Sequence, residues 1–120
     1  MAKKILVVDD EPDLLRVATF RLKKAGYEVF FAVDGQQALD STKEYKPDLI
    51  LLDLLLPDIS GEEVCKRIKA DVELERIPVI IFTAITDKID EKSKSCGADD
   101  YLIKPFAIEE LLGKIKRFTE

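Results

Sequence analysis

Asp53 is the one carboxylate in an otherwise apolar run, Leu49-Ile50-Leu51-Leu52-Asp53-Leu54-Leu55-Leu56-Pro57. A carboxylate so placed can serve as a nucleophile or a metal ligand if the fold brings it partners. Three other short apolar runs also end in polar residues. Asp9-Asp10 follows 5–8, Thr83 follows 79–82, and Lys104 follows 101–103. Asp9, Asp10 and Asp53 brought together would repel one another and force a proton onto one of them. A divalent cation removes that conflict, and an all-oxygen ligand set with room for water suits Mg²⁺. Lys104 offers a point charge for a phosphoryl oxygen, and the Thr83 hydroxyl can donate to another. A carboxylate nucleophile, a metal and a cation together describe phosphoryl transfer onto Asp53, giving an acyl phosphate. Each residue also has an ordinary use: aspartates open turns and cap helices, a threonine ends a strand, a loop lysine is solvated. Chemistry is favoured because all these ends carry such groups at once, and open α/β sheets bind ligands at that rim.

The elements that would position these groups follow from periodicity. Residues 5–8, 27–33, 48–53, 79–82 and 101–103 read as strands, with β-branched or aliphatic residues between turn signals. Pro57 stops the central one. Between the first two strands, Pro12 suits a first helical turn. Leu14, Val17 or Ala18, Leu22 and Ala25 recur at helical spacing, and Gly26 closes the helix. Asp34 with Gln37 predicts an N-cap for a helix through Tyr45, and Ser60 with Glu63 predicts another, with Val64, Cys65 and Ile68 inward. Residues 71–77 read as a charged loop. Thr86 is expected to cap a helix over 87–95 whose apolar face is thin, only Ile89 and Cys96. Ile108, Leu111, Leu112, Ile115 and Phe118 form the inner stripe of a last helix. Five β-α repeats imply a parallel sheet with helices on both faces and right-handed crossovers. In the strand order 2-1-3-4-5, strands 1 and 3 are neighbours at the switch point, and Asp9, Asp10 and Asp53 converge.

Composition narrows the function classes. The chain has 120 residues, enough for one domain over 1–120, with 47% apolar and 36% charged residues. A net charge of −5 gives no general attraction to DNA or to anionic lipid. No segment approaches the length of a membrane span, and the run 5–8 is too short for a signal peptide. These features lead us to expect a cytoplasmic protein with no membrane or direct nucleic-acid partner. Cys65 and Cys96 lack metal-ligand spacing, and the absence of histidine argues against zinc. They read as reduced packing residues.

Several separated motifs together resemble the receiver domain of bacterial two-component response regulators. They are Val7-Val8-Asp9-Asp10-Glu11-Pro12, Leu52-Asp53-Leu54-Leu55-Leu56-Pro57-Asp58-Ile59-Ser60-Gly61, Thr83-Ala84, and Gly97-Ala98-Asp99-Asp100-Tyr101-Leu102-Ile103-Lys104-Pro105-Phe106. The resemblance covers essentially the whole chain. It implies an α/β, flavodoxin-like (βα)5 sandwich and phosphoryl transfer to Asp53 from the phosphohistidine of a sensor histidine kinase or phosphotransfer protein. It implies Mg²⁺ bound by Asp10, Asp53 and the Leu55 carbonyl, with Asp9 acting through water. Thr83 and Lys104 would contact the phosphate, and Tyr101 matches the aromatic switch position. The output would be the surface of the fourth helix, fifth strand and fifth helix, toward an effector the motifs do not name, or toward a phosphorylation-dependent homodimer. The only chemistry catalysed would be the domain's own phosphorylation and dephosphorylation. A cis Lys104–Pro105 bond is also implied.

Leu55 and Ile85 depart from the more polar choices common at these positions, and bear on how long the phosphate lasts. Leu55 also separates this chain from phosphatases and mutases with an aspartate nucleophile, which carry a second acid two residues later. An inert docking module would have no use for the intact Asp9, Asp10, Asp53, Thr83 and Lys104 set. No stretch looks like a flavin phosphate loop.

Overall fold

The computed structural model describes residues 2–120. Among the described residues, five strands and five helices alternate. They are β1 (Lys4–Val8), α1 (Pro12–Lys24), β2 (Glu28–Ala32), α2 (Gly35–Tyr45), β3 (Leu49–Leu52), α3 (Gly61–Ala70), β4 (Val79–Thr83), α4 (Ile89–Ser95), β5 (Asp100–Ile103) and α5 (Ile108–Thr119). All pairings are parallel and the sheet order is β2-β1-β3-β4-β5. This is the flavodoxin-like architecture that the alternation and the motifs imply.

The central strands are apolar throughout because both of their faces are covered. Side chains alternate across the sheet, and the two faces found two separate cores. Leu6, Val8, Ile50, Leu52 and Ile81 pack with Val64, Cys65 and Ile68 of α3. Ile5, Val7, Leu49, Leu51, Ile80 and Phe82 pack with Leu15 and Leu22 of α1 and with Leu111 and Ile115 of α5.

Local signals explain the helix ends. The Asp34 side chain accepts from the Gln37 N–H at 2.8 Å, and the Ser60 hydroxyl accepts from the Glu63 N–H at 3.1 Å. Gly26 takes φ +99° just beyond α1, where a side chain would be strained. Helix α1 turns Leu15, Ala18 and Leu22 fully inward, with Leu14 half-buried at their margin. Of the two inward candidates Val17 and Ala18, Ala18 is buried, and Val17 is 60% exposed.

Helix α4 departs from expectation. It begins at Ile89, two residues after the anticipated start, and Thr86 is not its N-cap. The Ile89 N–H bonds to the main-chain oxygen of Thr86 at 3.3 Å, and Lys88 is left-handed with φ 53°. A left-handed residue breaks helical continuity, so the turn cannot carry a helix from 87. The anticipated anchors, Ile89 and Cys96, are both buried. The Lys104–Pro105 bond is cis. Among the described residues no helix is long and apolar enough to cross a membrane.

Candidate functional site

The register aligns the candidate residues at one rim. Val8 pairs with Ala32 on one side and with Leu52 on the other. One residue further, the Asp9 N–H bonds Ala32 O at 3.1 Å and the Asp53 N–H bonds Val8 O at 3.0 Å. Asp9 and Asp53 therefore leave adjacent strands side by side. One carboxylate oxygen from each of Asp9, Asp10 and Asp53 lies within 4.8 Å of the others. Asp9 and Asp53 are buried, and Asp10 is exposed at the mouth. On the other flank, Thr83 pairs with Ile103, and the Lys104 N–H bonds Thr83 O at 2.8 Å. That pairing launches the Lys104 side chain across the rim.

Lys104 Nζ donates to Asp9 at 2.5 Å and to Asp53 at 3.1 Å, and lies 3.6 Å from Glu11. It also sits over the Phe82 ring, 4.8 Å from its centroid. Burial alone would lower the Lys104 pKa. The hydrogen bond to Asp9 and the charge of Asp53 outweigh it and push the pKa above the ordinary lysine value. Lys104 therefore remains an ammonium. Burial raises the Asp9 pKa, opposed by Lys104 and the Glu11 N–H and reinforced by the Asp53 charge. Asp53 also accepts from the Leu55 N–H at 3.2 Å. An open cavity of about 290 Å³ fronts the cluster, and its walls include Asp10, Asp53, Leu55, Ala84 and Lys104.

Not every expected group faces this cavity. Thr83 is fully buried, and its hydroxyl accepts from the Ile85 N–H at 3.3 Å; Ala84 forms the wall at that point. Ile85 packs against the core on the α3 side, whereas Leu55 lines the cavity and is 60% exposed. Tyr101 is half-buried, and its hydroxyl donates to the Asp90 carboxylate of α4.

Two features were not anticipated from sequence. The ammonium of Lys104 already balances two of the three carboxylates. Asp58, three residues beyond Leu55, accepts the Gly35 N–H at 2.7 Å and the Gln36 N–H at 2.9 Å, bonding the β3–α3 loop to α2. An aspartate after a proline is the only sequence signal for the second, and it reads equally well as a solvated turn.

The fold recurs in known proteins. The chain is 31% identical to the chemotaxis response regulator CheY4 of Vibrio cholerae (TM-score 0.91), covering 98% of this chain and 99% of that one. It is 34% identical to the signal receiver domain of a signal transduction histidine kinase from Syntrophus aciditrophicus (TM-score 0.92), covering 98% and 90% respectively. It is 35% identical to the response regulator TrrA from Thermotoga maritima, solved in complex with Mg(2+)-BeF (TM-score 0.87), covering 97% and 98%. The family model of the response regulator receiver domain matches residues 5–116, which include the acidic pair, Asp53, Thr83 and Lys104. With the strand order, the acidic rim and this match in agreement, the chain belongs to the response regulator receiver domains, the phosphoacceptor modules of two-component signalling.

Proposed function

We propose that Asp53 is the phosphoacceptor, that the transfer depends on Mg²⁺, and that the donor is a phosphohistidine on a sensor histidine kinase or phosphotransfer protein. The observation that carries this reading is the buried Asp53 carboxylate set between two acidic neighbours and one ammonium. Three carboxylates with oxygens within 4.8 Å of one another fit a hard divalent cation. Asp10, Asp53 and the Leu55 carbonyl would hold it, with Asp9 assisting through water. Bound there, Mg²⁺ neutralises charge on the phosphoryl oxygens.

An Asp53 oxygen attacks the phosphorus, the phosphorus–nitrogen bond breaks, and its electron pair returns to the imidazole. Lys104, already beside the acceptor oxygen, donates to the phosphoryl group without changing protonation. The Thr83 hydroxyl turns from the Ile85 N–H toward the phosphate, and Tyr101 moves into the space it leaves. The surface of α4, β5 and α5 then carries the signal to an effector or to a second phosphorylated copy. The catalysis is confined to the domain's own phosphorylation and dephosphorylation. An enzyme of the aspartate-nucleophile class is disfavoured because Leu55 cannot protonate a leaving group.

Incubation with Mg²⁺ and acetyl phosphate, followed by intact mass, tests the assignment. Wild type should gain one phosphoryl group; without divalent ion, or as Asp53→Asn, it should gain none. Equal gain in Asp53→Asn would remove Asp53 from the role.

A further inference from the structure

The loop after Asp53 is pinned at both ends, and the two pins differ in kind. At the near end the Asp53–Leu54 peptide is held against Gly61, where an added Cβ would meet Asp53 O at 2.0 Å. The Gly61 N–H bonds Leu54 O at 2.9 Å. At the far end the pin is a single side chain, Asp58. Its two oxygens take the first two N–H groups of α2, at Gly35 and Gln36. The third N–H, at Gln37, goes to Asp34, the helix's own cap. Helix α2 is thus capped twice, once from its own preceding residue and once from a loop 23 residues on. Gly35 is also pressed against that loop, since an added Cβ would lie 2.8 Å from Cβ of Ile59 and 3.2 Å from Asp58 Oδ1.

The bonds suit a charged carboxylate. Burial would raise the Asp58 pKa, but the N–H groups of Gln36 and Gly35 outweigh it and hold it below the ordinary value. Between the two pins lie Leu55, Leu56 and Pro57, which wall the cavity beside Asp53.

We propose that Asp58 is a positioning residue for the phosphoacceptor loop: it uses the N-terminus of α2 as an anchor to hold the Leu55 backbone against the metal and phosphoryl site. The proposal rests on the phosphoacceptor reading above. Asp58 acts at a distance and touches neither metal nor phosphate. Groups that orient metal ligands from outside the ligand set typically change affinity about tenfold or more when removed.

The experiment compares Asp58→Ala with Asp34→Ala, two deletions at one helix terminus of which only the first frees the loop. In metal-free protein, amide hydrogen exchange over residues 54–59 should rise in Asp58→Ala and stay at the wild-type rate in Asp34→Ala. Mg²⁺ affinity, titrated by NMR, should fall about tenfold in Asp58→Ala, stay within twofold of wild type in Asp34→Ala, and be partly restored in Asp58→Asn. If Asp34→Ala matches Asp58→Ala in both readouts, Asp58 only stabilises α2 and the proposal is overturned. Unchanged loop exchange in Asp58→Ala overturns it as well. A wild type that binds no Mg²⁺ would instead overturn the phosphoacceptor reading, and the exchange comparison would still decide whether Asp58 holds the loop.

Discussion

Lys104 changes the electrostatic problem at the acidic rim. On sequence alone the three carboxylates appear uncompensated, and deleting one should relieve strong repulsion. With the ammonium bonded to both Asp9 and Asp53, only exposed Asp10 remains outside the balance. Asp10→Ala should therefore raise metal-free stability only slightly, by less than about 1 kcal/mol, the usual scale for solvated charge interactions. It should still abolish measurable Mg²⁺ binding, because too few protein oxygens remain to offset the ion's dehydration. Urea melts with and without Mg²⁺ read both effects, and an unchanged Mg²⁺ stabilisation would contradict the ligand assignment. The lifetime of the phosphate also belongs to single residues. Leu55 lines the cavity, whereas Ile85 packs inward. Leu55→Asn alone should then speed phosphate loss about fivefold, the worth of one hydrogen bond of about 1 kcal/mol to the attacking water. Ile85→Glu should mainly cost stability, since it directs a charge toward an apolar core. Decay followed by intact mass separates the two, and equal acceleration by both variants would put Ile85 at the attack path after all.

Among the elements, α4 is the least anchored. It has seven residues and no side-chain cap, and its apolar anchoring rests on Ile89 with Cys96 just beyond. The Tyr101 hydroxyl on Asp90 ties β5 to it. Phosphorylation should move NMR signals of Thr83, Tyr101 and residues 89–95 together. Asp90→Ala should carry the unphosphorylated spectrum part of the way in the same direction, because the tie opposes the inward turn of Tyr101. Shifts that bypass these residues would argue for another output face. Helix α5 is held differently. Asp100 of β5 accepts from Lys114 at 2.8 Å, Arg117 at 2.6 Å and its neighbour's Tyr101 N–H at 2.8 Å. Burial would raise the Asp100 pKa, but Lys114, the Tyr101 N–H and Arg117 outweigh it and depress it. A depressed carboxylate stabilises the fold above the ordinary carboxylate range and loses that contribution as pH falls through its folded value. Wild type should thus lose Tm below about pH 4 more steeply than Asp100→Asn. Parallel Tm–pH curves for the two would show that the Asp100 cluster adds nothing.

At the scale of the molecule, what could be read from sequence divides by distance along the chain. The strands were legible because full burial leaves apolar runs, and the rim because each run stops at a polar residue. The caps at Asp34 and Ser60 were legible because their partners lie three residues away. Contacts that span the fold leave no such pattern. The Asp58 tie to α2 joins residues 23 apart, and the aspartate after Pro57 reads equally well as a solvated turn. The choice of Ala18 over Val17 depends on how α1 rolls on the sheet, and the late start of α4 on one left-handed residue, Lys88.

The Lys104–Asp9 contact joins residues 95 positions apart, and Lys104–Asp53 joins residues 51 apart. During synthesis the acidic rim leaves the ribosome long before its counter-charge does. Until β5 docks, Asp9 lacks the Lys104 ammonium that stands beside it in the folded chain. On the proposed mechanism the site is complete only once the last strand has docked. A chain cut before Lys104 keeps Asp53 but lacks the ammonium that would hold the phosphoryl group.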